Sequence, residues 1–173
     1  MANAKPDFDA VVVGAGFAGM YMLYRLRERG LSVRVFETGT DVGGTWYWNR
    51  YPGARVDTET MFYSYQFSEE LQQEWEWTEF YATQPEILRY AEHVADRYDL
   101  RRDMRFNTEV VSASFVEGAN GKRTGHWQVV TKGEHAGRIE ATFCVMGTGC
   151  LSTPNWPKIE GLHDFAGETY HTG

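Results

Sequence analysis

The sequence predicts an α/β fold, a parallel sheet carrying an antiparallel β-meander, and three observations carry that expectation. The first is Asp9–Glu37, which reads as strand, glycine turn, helix and second strand. The second is a pair of alternating stretches, Glu109–Glu117 and His126–Lys132, joined by turn residues. The third is Arg138–Met146, which alternates at first and then becomes continuously apolar at Phe143-Cys144-Val145-Met146. A strand that leaves a one-faced meander for a sheet covered on both faces shows that change.

The first unit is the most informative. Asp9-Ala10-Val11-Val12-Val13 is short, apolar and β-branched, which suits a strand buried on both faces. Gly14-Ala15-Gly16-Phe17-Ala18-Gly19 follows at once. Gly14 permits a tight turn, Gly16 lets the backbone approach a pyrophosphate, and Gly19 lets the helix pack closely on the strand. The helix spans about Phe17 to Arg29, with Met20, Leu23 and Leu26 on one face and Gly30 ending it. Its N-terminus presents unpaired N–H groups and a positive dipole end. Arg34-Val35-Phe36 is the second strand, and Glu37 stands at its carboxyl end, 18 residues after Gly19. An acidic residue about 20 residues on is placed to accept from a ribose hydroxyl. The unit is therefore Rossmann-like and binds an adenine dinucleotide. Glu37 disfavours a 2′-phosphate, which leaves FAD or NAD, and the unit alone does not choose between them.

The 173 residues suffice for one domain, and 42% hydrophobic with 24% charged residues is ordinary for a globular protein. A net charge of −7 speaks against nucleic acid and against anionic membrane surfaces as partners. No run approaches the ~18 apolar residues of a membrane span, and Met1–Pro6 lacks the apolar core of a signal peptide. Cys144 and Cys150 read as two reduced thiols in a cytoplasmic protein. The five histidines show no HxxxH spacing and CxxC is absent, so no metal site is expected.

Residues 1–8 read as a tail. Thr38-Gly39-Thr40-Asp41-Val42-Gly43-Gly44 is a second glycine-rich loop, either another backbone approach to the same ligand or simply a turn. Twelve aromatic residues fall between Thr45 and Tyr81. Such a cluster is core material, or, beside two glycine loops, a flat slot for a planar ring. Thr83-Gln84-Pro85-Glu86 has the form of a capping box and opens a helix to about Tyr98, with Ile87, Ala91, Val94, Ala95 and Tyr98 on its apolar face. The links Gly118-Ala119-Asn120-Gly121 and Gly133–Gly137 are turn chemistry. Gly147-Thr148-Gly149 is a third glycine turn at a strand's carboxyl end, where ligands bind in open α/β sheets. Leu151–Gly173 has little periodicity and reads as a connecting segment.

From Gly43-Gly44-Thr45-Trp46-Tyr47-Trp48-Asn49-Arg50-Tyr51-Pro52-Gly53-Ala54 through Arg55-Val56-Asp57-Thr58-Glu59, and again at Gln84–Tyr90, the sequence resembles the Baeyer–Villiger monooxygenases. These flavoenzymes turn ketones into esters or lactones. The turn at 147–149 is similar to the family's second dinucleotide-associated motif, with Gly147 where alanine or serine is usual. Phe165-Ala166-Gly167-Glu168-Thr169-Tyr170-His171 is similar to the start of the fingerprint FxGxxxHxxxW, whose tryptophan would fall beyond Gly173.

The resemblance runs from Asp9 to Gly173 and covers only the first part of a family member. It implies an FAD-binding domain over 9–150, incomplete at its C-terminal side, and a linker over 151–173 toward an NADP-binding domain that this chain lacks. It implies that Phe17 and the backbone of Gly14, Gly16 and Gly19 lie along the diphosphate, with Glu37 on the adenosine ribose. Gly44, Thr45, Trp46, Tyr47 and Trp48 would wrap the flavin side, Tyr63 and Asp57 would stand near the isoalloxazine, Val110 would meet the adenine, and Gly149 would belong to the third turn. Arg55, Val56 and Asp57 would face the nicotinamide cofactor. Asp57 is the one catalytic candidate, paired in the family with an arginine outside this chain; its plainer role is a loop carboxylate capping backbone N–H groups. His171 corresponds to a hinge.

The activity implied for the intact enzyme uses FAD, NADPH and O2 on a ketone, with the rest of the same enzyme as partner and the chain inactive alone. The rival readings are the front end of an N-oxygenating flavin monooxygenase and a stand-alone, non-catalytic dinucleotide-binding module. Between the two monooxygenases, the resemblance rests on residues 43–57.

Overall fold

The computed structural model describes residues 5–118 and 125–172. The turn expected at Gly118–Gly121 falls mostly outside them. Along the chain run β1 (Phe8–Val13), α1 (Phe17–Glu28), β2 (Val33–Phe36) and three short helices, α2 (Thr45–Trp48), α3 (Thr60–Tyr63) and α4 (Glu69–Glu74). Then come α5 (Gln84–Arg97), β3 (Met104–Arg105), β4 (Thr108–Val116), β5 (His126–Gly133) and β6 (Gly137–Met146).

Six strands form one sheet in the order β3-β2-β1-β6-β5-β4. β1 pairs in parallel with β2 on one edge and β6 on the other, and β2 pairs in parallel with β3. β4, β5 and β6 are antiparallel neighbours. The change of pattern in the last strand has a direct structural counterpart. Ala141 is opposite Trp127 in the antiparallel ladder and opposite Phe8 in the parallel one. The first half of β6 thus belongs to the meander and the second half to the Rossmann-like sheet.

Side chains alternate across β1 as a two-residue period demands. Ala10 and Val12 face the main core with Val33 and Val35 of β2, Met20 and Leu23 of α1, and Tyr90, Ala91, Val94 and Ala95 of α5. Val11 faces the other way, onto Phe36, Val129 and Ala141, so the meander covers the second side. Each buried valine, leucine or methionine among them contributes about 1.5–3 kcal/mol relative to exposure. Half of the aromatic segment folds as core: Tyr65, Phe67, Trp75 and Trp77 pack against the main cluster, and Trp46, with Tyr63 against it, joins Val56, Ala82 and Ile87 in a third.

Two local expectations need correction. Thr83 is the N-cap of α5 and Pro85 lies in its first turn, but no side-chain cap forms there. Glu86 instead accepts from the Thr78 N–H and hydroxyl, both at 2.9 Å, because its buried carboxylate is turned toward the preceding loop. The apolar end of β6 is also not fully covered. β5 leaves it at Ala141, so Thr142–Met146 has one edge without a strand partner among the described residues, and Phe143 and Met146 are 56% and 62% exposed. Among the described residues, no helix is long and apolar enough to cross a membrane.

Candidate dinucleotide site

The carboxyl ends of β1, β2 and β6 open into a cavity of about 650 Å3. Three glycine turns form its walls: Gly14 and Gly16, Gly43 and Gly44, and Gly147 and Gly149. The first and third turns cross in contact, with the Gly147 N–H donating to the Val13 carbonyl at 2.8 Å. Behind the first turn, a Cβ on Gly19 would collide with the Gly14 carbonyl, so only glycine lets α1 sit this close to β1. Gly16 is the N-cap of α1 and carries no capping side chain, and the first turn of the helix holds no acidic residue. The positive end of the helix dipole therefore faces the cavity with no acidic side chain from the helix's own first turn upon it.

Glu37 is 6% exposed and joins two of these walls. Its Oε2 accepts the Ala15 N–H at 2.7 Å; its Oε1 accepts the Gly39 N–H at 2.8 Å and the Thr38 hydroxyl at 3.1 Å. The backbone of the same residue is tied into the sheet, donating to Arg105 and accepting from Thr108, both at 2.9 Å. That second bond brings the start of β4 to the cavity, where Glu109 and Val110 line it just before a register shift between Val110 and Ser112.

The second loop closes over the first. Gly43 N–H donates to the Ala15 carbonyl at 3.1 Å, and Gly44 holds φ at 54°. A Cβ on Gly44 would come within 2.8 Å of the Gly16 Cα. Two side-chain-free backbones thus pack directly against each other, with no room for a side chain between them.

The aromatic wall follows from α2 and α3. Trp46 is 7% exposed and its indole N–H donates to the Tyr63 hydroxyl at 2.7 Å. Gln84 donates to the Trp46 carbonyl. Phe17 lies 5.2 Å from both the Tyr63 and Tyr65 rings, and the Tyr65 hydroxyl donates to the Phe17 carbonyl at 2.6 Å. Burial raises the Tyr63 pKa and the charge of Asp57 adds to this, against the lowering hydrogen bond from Trp46. Trp48 stands at the rim, more than half exposed.

Of the residues singled out in the sequence, Gly14, Gly16, Phe17, Glu37, Gly44, Thr45, Trp46, Trp48, Tyr63, Val110 and Gly149 line this one cavity. Gly19, Tyr47, Arg55, Val56 and Asp57 are not in its lining. Gly19 packs behind the turn. Tyr47 turns its hydroxyl outward to the Thr40 N–H at 3.1 Å and the Thr40 hydroxyl at 2.8 Å, contacts that lower its pKa. Arg55 pairs with Glu79 at 2.9 Å and donates to the Tyr81 carbonyl at 2.9 Å, Val56 is buried in the Trp46 cluster, and Asp57 is exposed. The sequence reading missed Val13, Phe36, Thr38, Glu109 and Leu151–Thr153 as lining residues. The rule that ligands gather at strand carboxyl ends pointed to Val13 and Phe36; Leu151–Thr153 had no comparable signal. Among the described residues, no group of three or more His, Cys, Asp or Glu is placed to hold a metal ion, and both cysteines are free.

The chain matches the NAD(P)-binding Rossmann-like domain over residues 12–73. It is 49% identical over 168 residues to a Baeyer–Villiger monooxygenase of Pseudooceanicola batsensis, covering 96% of this chain and 30% of that protein. It is 45% identical over 174 residues to a phenazine N-monooxygenase of Lysobacter antibioticus, covering 99% and 30%. The crystal structure of OTEMO in complex with FAD and NADP superposes with a TM-score of 0.83 at 42% identity, covering 98% of this chain and 31% of that one. The chain spans about 30% of the length of the curated relatives it matches. In sequence and in fold, it corresponds over nearly its whole length to the N-terminal portion of the Baeyer–Villiger monooxygenases.

Proposed function

We propose that this chain is the FAD-holding front of a cytoplasmic Baeyer–Villiger monooxygenase that uses NADPH and O2 to convert ketones to esters or lactones. The observation that carries this reading is the convergence of three glycine turns, an uncapped helix N-terminus and Glu37 on one cavity with an aromatic wall. An adenine dinucleotide fits that set. A diphosphate is matched by the first-turn N–H groups of α1, beside the bare glycine backbones of Gly16 and Gly44 that line the cavity. A ribose hydroxyl is matched by Glu37, and a planar ring by Trp46, Trp48 and Tyr63. When bound, FAD supplies the redox chemistry with dioxygen, and the protein supplies placement, charge and exclusion of water.

In this reading residues 9–150 form the FAD-binding domain and 151–173 lead toward an NADP-binding domain. Gly19 and Tyr47 act from behind, shaping the turn and the second loop. Arg55, Val56 and Asp57 serve the nicotinamide side, with Asp57 as the catalytic carboxylate that adjusts an arginine from elsewhere in the enzyme. The chain alone is inactive. The exposed Phe143 and Met146 on the open edge of β6 favour a larger assembly over a stand-alone dinucleotide module.

A second reading, the front end of an N-oxygenating enzyme, is favoured by the 45% identity to the phenazine N-monooxygenase. That value lies close to the 49% of the Baeyer–Villiger relative, so overall identity does not separate the two chemistries. The purified chain is expected to carry or take up FAD with a bound-flavin absorbance. Supplying the remainder of the enzyme in trans, with NADPH and either a ketone or a phenazine, then distinguishes ester formation from N-oxide formation. A colourless chain that binds NAD instead overturns both.

A further inference from the structure

The second glycine loop, Thr38–Gly44, lines the cavity through Thr38, Gly43 and Gly44. Its inner side is tied to the first turn by the bond from the Gly43 N–H to the Ala15 carbonyl. Its outer side rests on a charge 60 residues away along the chain. Arg101 Nε donates to Asp41 Oδ1 at 2.7 Å and Arg101 Nη2 to Asp41 Oδ2 at 3.2 Å, a two-pronged pairing, while Nη1 reaches Asp96. Asp41 Oδ1 also accepts the Val42 N–H at 2.8 Å. The carboxylate that meets Arg101 therefore also sets the backbone leading into Gly43.

Arg101 has a firm base. It follows Leu100, which is 1% exposed in the main core and whose N–H donates to the Ala95 carbonyl at 2.8 Å. Arg101 then opens the 3-10 turn Arg101–Asp103. Asp41 and Arg101 side chains are 36% and 29% exposed, so the pair is partly shielded from solvent. A fork-to-carboxylate geometry also holds a loop in one orientation, which a single-point contact does not.

We propose that Asp41 and Arg101 form a latch that sets the second glycine loop against the first, making Arg101 a positioning residue for the dinucleotide although it does not line the cavity. Gly44 packs directly on Gly16, since a Cβ on Gly44 would lie 2.8 Å from the Gly16 Cα, and both residues line the cavity. A loop that drifts outward by about the width of one hydrogen bond loses that packing, and the cavity loses the wall that Gly43 and Gly44 supply. The proposal rests on the FAD reading above.

Three variants test it: Asp41→Asn, Arg101→Gln and the double substitution. Asparagine keeps an acceptor for the Val42 N–H, so Asp41→Asn removes the charge pairing and leaves the local turn. In the flavin-free chain, hydrogen exchange at the amides of residues 42–44 is expected to quicken in both single variants. FAD binding, followed by flavin fluorescence, is expected to weaken about fivefold in each. The double variant is expected to bind no more weakly than either single one, and Arg101→Lys to recover only part of the loss, since it restores charge without the fork. Unchanged exchange at 42–44 overturns the latch, and so do additive losses in the double variant. A lower thermal midpoint with FAD affinity and exchange unchanged marks a purely structural pair and also overturns it. Should the parent chain fail to bind FAD, the FAD reading falls, and the exchange rates alone decide the latch: faster supports it, unchanged overturns it.

Discussion

The Glu37 carboxylate accepts the Ala15 N–H at 2.7 Å, joining two positions 22 residues apart along the chain. The acid at the end of β2 thus clamps the first glycine turn directly, and its other oxygen clamps the second loop at Gly39. Glu37→Gln leaves one acceptor where two are used and turns an amide toward a backbone N–H. It is expected to cost about 1–3 kcal/mol of stability and to lower FAD affinity at least tenfold. Thermal unfolding with and without added FAD measures both effects.

Gly19→Ala places a methyl group against the Gly14 carbonyl, and backbone cannot yield there as a flexible side chain can. The expected destabilisation is about 3 kcal/mol or more. Gly137→Ala, where a Cβ meets nothing within 4 Å, is the matched control and is expected to stay near neutral. Urea unfolding of the two variants side by side checks the contrast; equal midpoints would sink it.

Arg55 and Asp57 are exposed and lie outside the cavity lining. Arg55→Ala and Asp57→Ala are therefore expected to change the stability of this chain by no more than about 0.5 kcal/mol and to leave its flavin content unaltered. In the enzyme completed in trans, the same substitutions are expected to reduce NADPH-dependent product formation. Loss of bound flavin in either variant would place these residues in the cradle itself.

Tyr90 is 1% exposed, and its hydroxyl accepts the Tyr65 N–H at 2.9 Å. Burial pushes its pKa up to about 12, against the lowering effect of that bond. The raised value in the folded chain means that the neutral phenol is favoured by folding. Its contribution is fully present below the ordinary value of 10.0 and is lost as the pH rises through about 12. Tyr90→Phe is expected to cost about 1 kcal/mol at neutral pH, because the Tyr65 N–H loses its acceptor. It is also expected to flatten the fall in thermal midpoint above pH 10, which a pH series of melting curves reads directly.

The unpaired edge at Thr142–Met146, with Phe143 and Met146 exposed, is expected to make the isolated chain self-associate with rising concentration. Phe143→Lys is expected to suppress that association without loss of secondary structure. Sedimentation velocity across a concentration series measures it.

Much of this architecture was legible in the residues. The βαβ unit combines a two-residue apolar period, a glycine turn and a helical stripe, three signals that agree. The change from alternating to continuous apolar residues between Arg138 and Met146 marks the exchange of strand partners at Ala141. Helices α2, α3 and α4 left no periodic trace, because four to six residues complete at most two turns. The two-residue strand β3 is likewise too short to show alternation. Glu86 had the spacing of a capping residue, yet the Thr78 N–H and hydroxyl compete for its carboxylate, and tertiary contacts decide that contest. At the site, the glycines were readable because close backbone approach requires that residue type, and Glu37 because its spacing after the glycine turn puts a carboxylate at the end of β2. Tyr47 was not, since a tyrosine's spacing does not reveal that its hydroxyl turns outward to Thr40.

The partner exchange at Ala141 also bears on how the chain acquires its structure. The central strand β1 obtains its second neighbour only from β6, and the Asp7 carboxylate that receives the Glu140 N–H spans 133 residues. Contacts of such long sequence separation form slowly, because the intervening chain must lose its freedom before they are made. On a ribosome, β1 and β2 emerge early and wait with one apolar flank open until residue 146 has cleared the exit. Maturation of the nucleotide cavity is thereby tied to the completion of β6, and its appearance during synthesis should be late and abrupt.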